Sequence, residues 1–170
     1  MLLLDAKLFD FTWQDLHIKP LCEDDLQLYV DLYRNEKVMR FIGPPLLEEE
    51  AVASFGHALL FSKTPEGNRL FLTVRRRADS SPAGIVSISH LDRKKQMVEL
   101  GSMLLPKFHG KLIGKESVIA LMTQIKRTLS IHSFLLDIDL QNLPALRAAR
   151  IMGFKPLQRN SKLHMINEII

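Results

Sequence analysis

The chain has a single cysteine in 170 residues, Cys22. An internal disulfide framework is therefore excluded, and the composition fits a reducing compartment. Cys22 follows Leu21 at the end of an apolar run, where a small buried residue is the expected role rather than a nucleophile. Long hydrophobic runs are missing too. No stretch approaches the roughly eighteen apolar residues that span a bilayer. The apolar start Met1-Leu2-Leu3-Leu4 is broken by Asp5 and Lys7, with neither a basic leader nor a small-residue cleavage site. A cytoplasmic protein without membrane association is expected. There is no Gly/Ser linker, low-complexity tract or fixed-period repeat, so residues 1–170 read as one domain. The six histidines are widely separated and none has ligand spacing with a carboxylate, which argues against a metal centre.

Charge of one sign is only mildly in excess. Lys and Arg number 23 against 19 Asp and Glu, for a formal net charge of +4 and a pI near 9.3. The densest basic clusters, Arg75 to Arg77 and Arg93 to Lys95, adjoin turn signals and read as solvated hairpin ends. Phe71 and Phe108 near basic residues do not make a stacking platform, so nucleic acid is not the expected partner.

What is present is a clear alternation of patterns. "DLHIKPL" (15–21) alternates Leu16, Ile18 and Leu21 with polar residues and predicts a short strand. Residues 23–42 open with acids and carry Leu26, Tyr29, Val30, Leu32, Tyr33, Val38 and Phe41, a helical stripe closed by "GPP". Residues 48–63 repeat the scheme with Val52, Phe55, Leu59 and Leu60. Three β-rich runs follow, 69–77, 83–92 and 96–105, joined by short turn sequences; they predict an antiparallel meander. In the second, Ile85, Ser87 and Ser89 face one side and Val86, Ile88 and His90 the other. Val118, Met122, Ile125 and Leu129, spaced four, three and four, form one face of a helix over 116–129. A strand over 134–140, a helix over 143–152 with Pro144 at its start and Gly153 at its end, and one or two closing strands complete the chain. Residues 96–140 thus form a strand–helix–strand unit, for which a parallel right-handed crossover is expected.

The densest glycine signal lies inside that unit, in "LPKFHGKLIGKES" (105–117), where Gly110 and Gly114 interleave with Lys111 and Lys115. Amides at a helix N-terminus have no internal partner and sit at the positive end of the helix dipole, so a pyrophosphate can take them where small residues allow approach. By itself this spacing reads first as a plain strand-to-helix turn. With the meander before it and "NLPALRAARIMGF" (142–154) after it, the chain resembles the GNAT superfamily of acyl-CoA-dependent N-acetyltransferases, closest to the ribosomal-protein N-terminal acetyltransferase branch. The resemblance implies an α/β fold with a mixed, mostly antiparallel central sheet, a splayed parallel strand pair and flanking helices. It also implies acetyl transfer from acetyl-CoA to a primary amine, on a protein N-terminus or a small molecule. The family's Q/R-x-x-G-x-G/A pattern falls on His109, Leu112 and Gly114, with Gly110, Lys111, Ile113 and Lys115 completing the phosphate loop. Leu112 departs from the pattern: leucine restricts φ and adds bulk beside the phosphate path.

The same resemblance places pantetheine contacts on the backbone at about Met103 and Leu104, entered through the gap between splayed strands as a partial extra strand. Asn142, with Ala145 three residues on, matches N-x-x-S/A and would hold the pantetheine amide; a helix N-cap is an equally good use of this Asn. Leu104 N–H is the implied oxyanion donor, and Glu99 lies where relatives carry a general base. The bland alternative for Glu99 is an exposed hairpin carboxylate opposite Arg93 or Lys94. The tyrosine that many members use as acid, seven residues after the Asn, is Ala149 here, and no tyrosine occurs beyond Tyr33. Ser102, His90, His132, His164 or a water would have to substitute, and no acid is assigned. The first two helices and the loop "FIGPPLLEEE" would receive the acceptor. A non-catalytic acyl-CoA-binding module and a basic RNA- or ribosome-binding protein stand as alternatives, and a homodimer is left open.

Overall fold

The computed structural model describes residues 3–159 and 162–168. A short 3-10 turn, Ala6–Phe9, leads into β1 (Phe11–Trp13) and β2 (Leu16–Pro20), a hairpin turning at Gln14, whose φ is +48°. Three helices follow: α1 (Leu26–Tyr33), α2 (Glu36–Met39) and α3 (Glu48–Ser62). The meander is β3 (Leu70–Arg76), β4 (Pro82–Asp92) and β5 (Met97–Leu104). Then come α4 (Ile113–Leu129), β6 (Ser133–Asp139), α5 (Leu143–Ile151), β7 (Lys155–Arg159) and β8 (Lys162–Glu168). The expected closing segments thus form two strands; residues 160, 161, 169 and 170 of these segments and their connection lie outside the described residues.

All eight strands join one sheet in the order β1-β2-β3-β4-β5-β6-β8-β7. Every neighbouring pair is antiparallel except β5–β6, the parallel pair made by the α4 crossover. The sheet carries a core on each face. On one side Val118, Leu121, Ile125 and Leu129 of α4, with Leu146 and Ala149 of α5, pack against Leu72, Val86, Ile88, Val98 and Phe134. The 4-3-4 spacing read from α4 is therefore its buried stripe. On the other side Leu28, Tyr29 and Leu32 of α1 and Phe55 and Ala58 of α3 cover Ile85, with Met103 at the margin.

Several expectations need correcting. The single helix over 23–42 is broken, because the Asn35 side chain accepts from Lys37 N–H and Val38 N–H and starts a new helix with its own backbone extended. On α3 the buried face is Ala51, Phe55 and Ala58, whereas Val52 and Leu60 are exposed. Helix α4 begins three residues before Glu116. Cys22 is half-buried, its thiol 3.2 Å from both Lys19 Nζ and Asp25 Oδ2. Arg75 does not end a solvated hairpin: its Nη2 donates to the buried carboxylate of Asp25 at 2.5 Å. Arg76 and Arg77 keep to the turns, pairing with Asp79 at 3.4 Å and donating to Gln14 O at 3.0 Å.

Candidate active site at the open seam of the sheet

Strands β5 and β6 pair over three residues only, Met97–Glu99 with Ser133–Leu135. Beyond that point β5 continues to Leu104 against β4, and β6 continues to Asp139 against β8. Each strand is held on its far side, so the seam between them opens into a gap. Backbone groups that face it lack a strand partner and can take a ligand.

The ladder decides which groups these are. Leu105 N–H donates to Ala83 O at 2.9 Å, so in the antiparallel β4–β5 register Met103, Gly101 and Glu99 also exchange bonds with β4. Leu104 and Ser102 alternate with them and turn their N–H and C=O groups into the gap. Of the two residues expected to contact pantetheine through the backbone, Leu104 has the gap-facing groups; Met103 bonds to β4 and turns its side chain to the α1/α3 face. Ser102 was missed as a gap-facing donor; period-two counting finds it only once the register with β4 shows that Leu104 faces the gap. Glycine keeps this region tight: a Cβ on Gly84 would collide with Met103 O and Leu104 Cα.

The start of α4 closes one end of the gap. Its first intrahelical bond runs from Glu116 N–H to Leu112 O at 2.9 Å, so the N–H groups of Ile113, Gly114 and Lys115 precede the ladder. A Cβ on Gly114 would lie 3.1 Å from Leu104 Cδ1, so helix and strand approach closely here and a side chain would make the Leu104 methyl shift by a few tenths of an ångström. Leu112 has φ −66° and ψ −16°, ordinary right-handed values, and its side chain is 68% exposed. The expected restriction on φ does not operate there. The position that needs glycine is Gly110, at φ +72°.

The basic residues of the loop are unequally free. Lys107 and Lys111 lie over the Phe108 ring at 5.2 and 5.3 Å. Lys115 pairs with Glu116 at 3.6 Å, and Glu116 also accepts from Trp13 Nε1 at 3.3 Å and Gln14 Nε2 at 3.2 Å. These contacts tie the loop to the β1–β2 hairpin. His109 Nε2 donates to the gap-facing Leu104 O at 2.8 Å; a carbonyl only accepts, so this nitrogen carries the proton.

Because β5 and β6 are parallel, the segment after β6 lies at the same end of the sheet as the α4 N-terminus. Asn142 is there as the N-cap of α5, its Oδ1 accepting from Ala145 N–H at 3.3 Å. Its Nδ2 has no partner among the described residues. Ala149 is fully buried against the core and brings no hydroxyl.

Glu99 sits at the other end, as the last β5 residue paired with β6. It shares the α1/α3 face with Gly101 and Met103. Its carboxylate is engaged neither by Arg93, whose Nη2 donates to Gly67 O, nor by Lys94, whose N–H donates to Asp92. It accepts instead from His90 Nδ1 at 3.1 Å. Glu99 and Leu104 stand five residues apart, about 16 Å along a strand rising roughly 3.3 Å per residue. The structure therefore does not bring the expected base and the expected oxyanion donor together around one carbonyl. Among the other candidate acids, His164 faces Asp137 at 3.6 Å and His132 precedes β6. Among the described residues no group of three or more His, Cys, Asp or Glu could hold a metal, and no helix is long and apolar enough to cross a membrane.

The comparisons agree with this architecture. No curated protein matches the chain in sequence. Among solved structures, an acetyltransferase from Agrobacterium tumefaciens superposes with a TM-score of 0.78 at 19% identity, covering 94% of each chain. A ribosomal L7/L12 alpha-N-protein acetyltransferase (RimL) gives 0.76 at 17% identity over 99% of this chain and 93% of its own. The spermidine N-acetyltransferase of Vibrio cholerae, solved with CoA and spermine, gives 0.75 at 15% identity over 92% and 96%. At these identities the likeness is one of fold. The family model described as an acetyltransferase (GNAT) domain matches residues 15–155, and the chain belongs to the GNAT acetyltransferase family.

Proposed function

We propose that the chain is an N-acetyltransferase that moves an acetyl group from acetyl-CoA to a primary amine by direct attack. The observation that carries this reading is the meeting, at one end of an open β5–β6 seam, of the gap-facing Leu104 amide with the free N–H groups that begin α4. Bound there, acetyl-CoA would supply an activated thioester carbonyl. The amides of Ile113, Gly114 and Lys115 would receive its pyrophosphate, with His109, Gly110, Lys111 and Leu112 shaping the loop. Leu104 would pair with the pantetheine arm while Met103 walls the gap. Asn142 Nδ2 would donate to a pantetheine carbonyl, and Ala145 would leave it room.

In the transfer a neutral amine attacks the carbonyl carbon, the C–N bond forms, and the C–S bond breaks. Gap-facing N–H groups, Leu104 or the nearer Ser102, would stabilise the oxyanion. Glu99 would take the amine proton through water. The leaving thiolate would draw its proton from solvent, since Ala149 offers none. The acceptor would enter from the α1/α3 face, past α2 and the loop 40–47, which Leu46 N–H ties to Tyr33 O at 2.9 Å. The solved relative with spermine makes small polyamines one class to test and RimL makes protein N-termini another.

Titration of acetyl-CoA into the protein by calorimetry, followed by CoA-release assays with polyamines and N-terminal peptides, tests the reading. Gly114→Glu should weaken acetyl-CoA binding by about 100-fold or more, some 2.7 kcal/mol, with the circular dichroism spectrum unchanged. Unchanged affinity would remove the phosphate assignment. The buried Ala149 favours one second reading, a non-catalytic acyl-CoA-binding module. Tight binding with no turnover on any amine would select it.

A further inference from the structure

The β4–β5 ladder is regular from Gly84–Leu104 to Ser89–Glu99 and then jumps to Asp92–Met97. Two residues of β4, His90 and Leu91, thus oppose the single residue Val98. This is a β-bulge, and its first residue has φ +48°, a left-handed value that costs a non-glycine residue about 1–2 kcal/mol. The bulge has a specific effect on side chains. In a regular strand His90 would follow Val86 and Ile88 onto the α4 face and into the core. Instead Leu91 takes that place, buried with Val98 and Leu129, and His90 is left outside. Its ring comes to rest with Nδ1 3.1 Å from Glu99 Oε2, 61% exposed against 28% for the glutamate side chain.

No other side chain among the described residues bonds the Glu99 carboxylate. Ser89, directly opposite, donates to the Glu99 backbone carbonyl at 3.5 Å, and Leu135, its register partner on β6, is apolar. Nearby charges are engaged elsewhere: Asp92 pairs with Lys95 at 3.7 Å, and Arg93 donates to Gly67 O in the α3–β3 connection. A carboxylate at the closed end of the seam would otherwise rotate freely about its three side-chain torsions. Backbone strain retained where it aims one polar group at another points to a functional constraint.

We propose that His90 is the positioning residue of Glu99: the bulge holds its Nδ1–H against the carboxylate, fixing the side chain at the apex of the β5–β6 gap. The inference rests on the acetyl-transfer reading for its catalytic consequence, though the dyad itself does not. Two variants tolerate the left-handed backbone. His90→Gly removes the ring, and His90→Asn returns an amide N–H near the position of Nδ1. With a turned-over amine, His90→Gly should lower kcat about tenfold and leave KM for acetyl-CoA unchanged. His90→Asn should recover most of the loss, and His90→Gly in a Glu99→Ala background should cost nothing further. Wild-type kcat in His90→Gly, losses that add to those of Glu99→Ala, or no rescue by Asn would each overturn the proposal. The imidazole 15N spectrum separates this from failure of the transfer reading. If the wild type acetylates no amine, that reading fails and the spectrum decides the dyad alone. An Nδ1–H signature that fades in Glu99→Ala supports it, and an identical spectrum in both proteins overturns it.

Discussion

At the scale of single residues, conformation explains more than residue type does. Leu112 occupies a position where glycine is usual, yet its backbone is right-handed and its side chain lies in solvent. The glycine requirement sits two residues earlier, at Gly110, while Gly114 marks a close approach to the Leu104 side chain. Nothing in the local sequence distinguishes these cases, because φ at each position is fixed by how the loop meets β5. Tyr33 shows a different dependence on surroundings. Its ring stacks on Tyr29 at 4.3 Å, and burial, followed by the neighbouring Tyr29, pushes its phenol well above the ordinary value of 10.0. The folded state therefore keeps this proton where the unfolded chain has lost it. The associated stability is complete below about pH 10 and declines as pH rises beyond it, by up to about 1.4 kcal/mol per pH unit. Urea unfolding at pH 9 and pH 11 should show a steeper loss for the wild type than for Tyr33→Phe. Equal losses would mean that Tyr33 titrates alike in both states.

Elements long enough to express a period were legible, and short or interrupted ones were not. The stripe Val118, Met122, Ile125 and Leu129 predicts α4 because most of the 17-residue helix repeats one physical demand, an apolar face against the sheet. Strand β1 has three residues and no room to alternate. The break between α1 and α2 escaped notice because the apolar stripe runs through it, while the decisive interaction is one Asn35 side chain bonding two backbone amides. Helix α4 also ends in a way its sequence does not announce. Ser130, the residue after Leu129, takes φ +49° and ψ +38°, the left-handed cap that glycine adopts without steric cost. Ser130→Gly should stabilise the protein by about 0.5–1 kcal/mol, read as a higher urea midpoint with an unchanged slope. A lower midpoint would show that the serine side chain contributes more than its backbone strain removes.

For the whole molecule, the consequence of this topology is a sheet in two halves. Strands β1 to β5 and strands β6, β8 and β7 are each continuously paired, and three residue pairs and the α4 crossover join them. That residues 109–115 connect a strand to a helix could be read from their glycines and their place between β5 and α4. Which β5 groups face the gap could not, since that parity depends on the register with β4. Nor could the partner of Glu99, since a bulge interrupts the alternation that sequence reading relies on. The parity makes a direct prediction for amide exchange. In the free protein Gly101 and Met103, bonded to β4, should exchange slowly, and Ser102 and Leu104, facing the open seam, should exchange fast. A pantetheine arm lying in the seam would engage the Leu104 groups and shield those of Ser102, so saturating acetyl-CoA should slow both. At a ligand concentration 100 times Kd, global linkage alone stabilises by about 2.7 kcal/mol and slows every amide that exchanges by complete unfolding. The informative signal is therefore the one at Ser102 and Leu104, which need no unfolding to exchange and would be slowed only by a ligand in the gap. If acetyl-CoA protected the slow amides while these two stayed fast, it would be binding elsewhere, and the seam would be a feature of the fold without a role in holding the thioester.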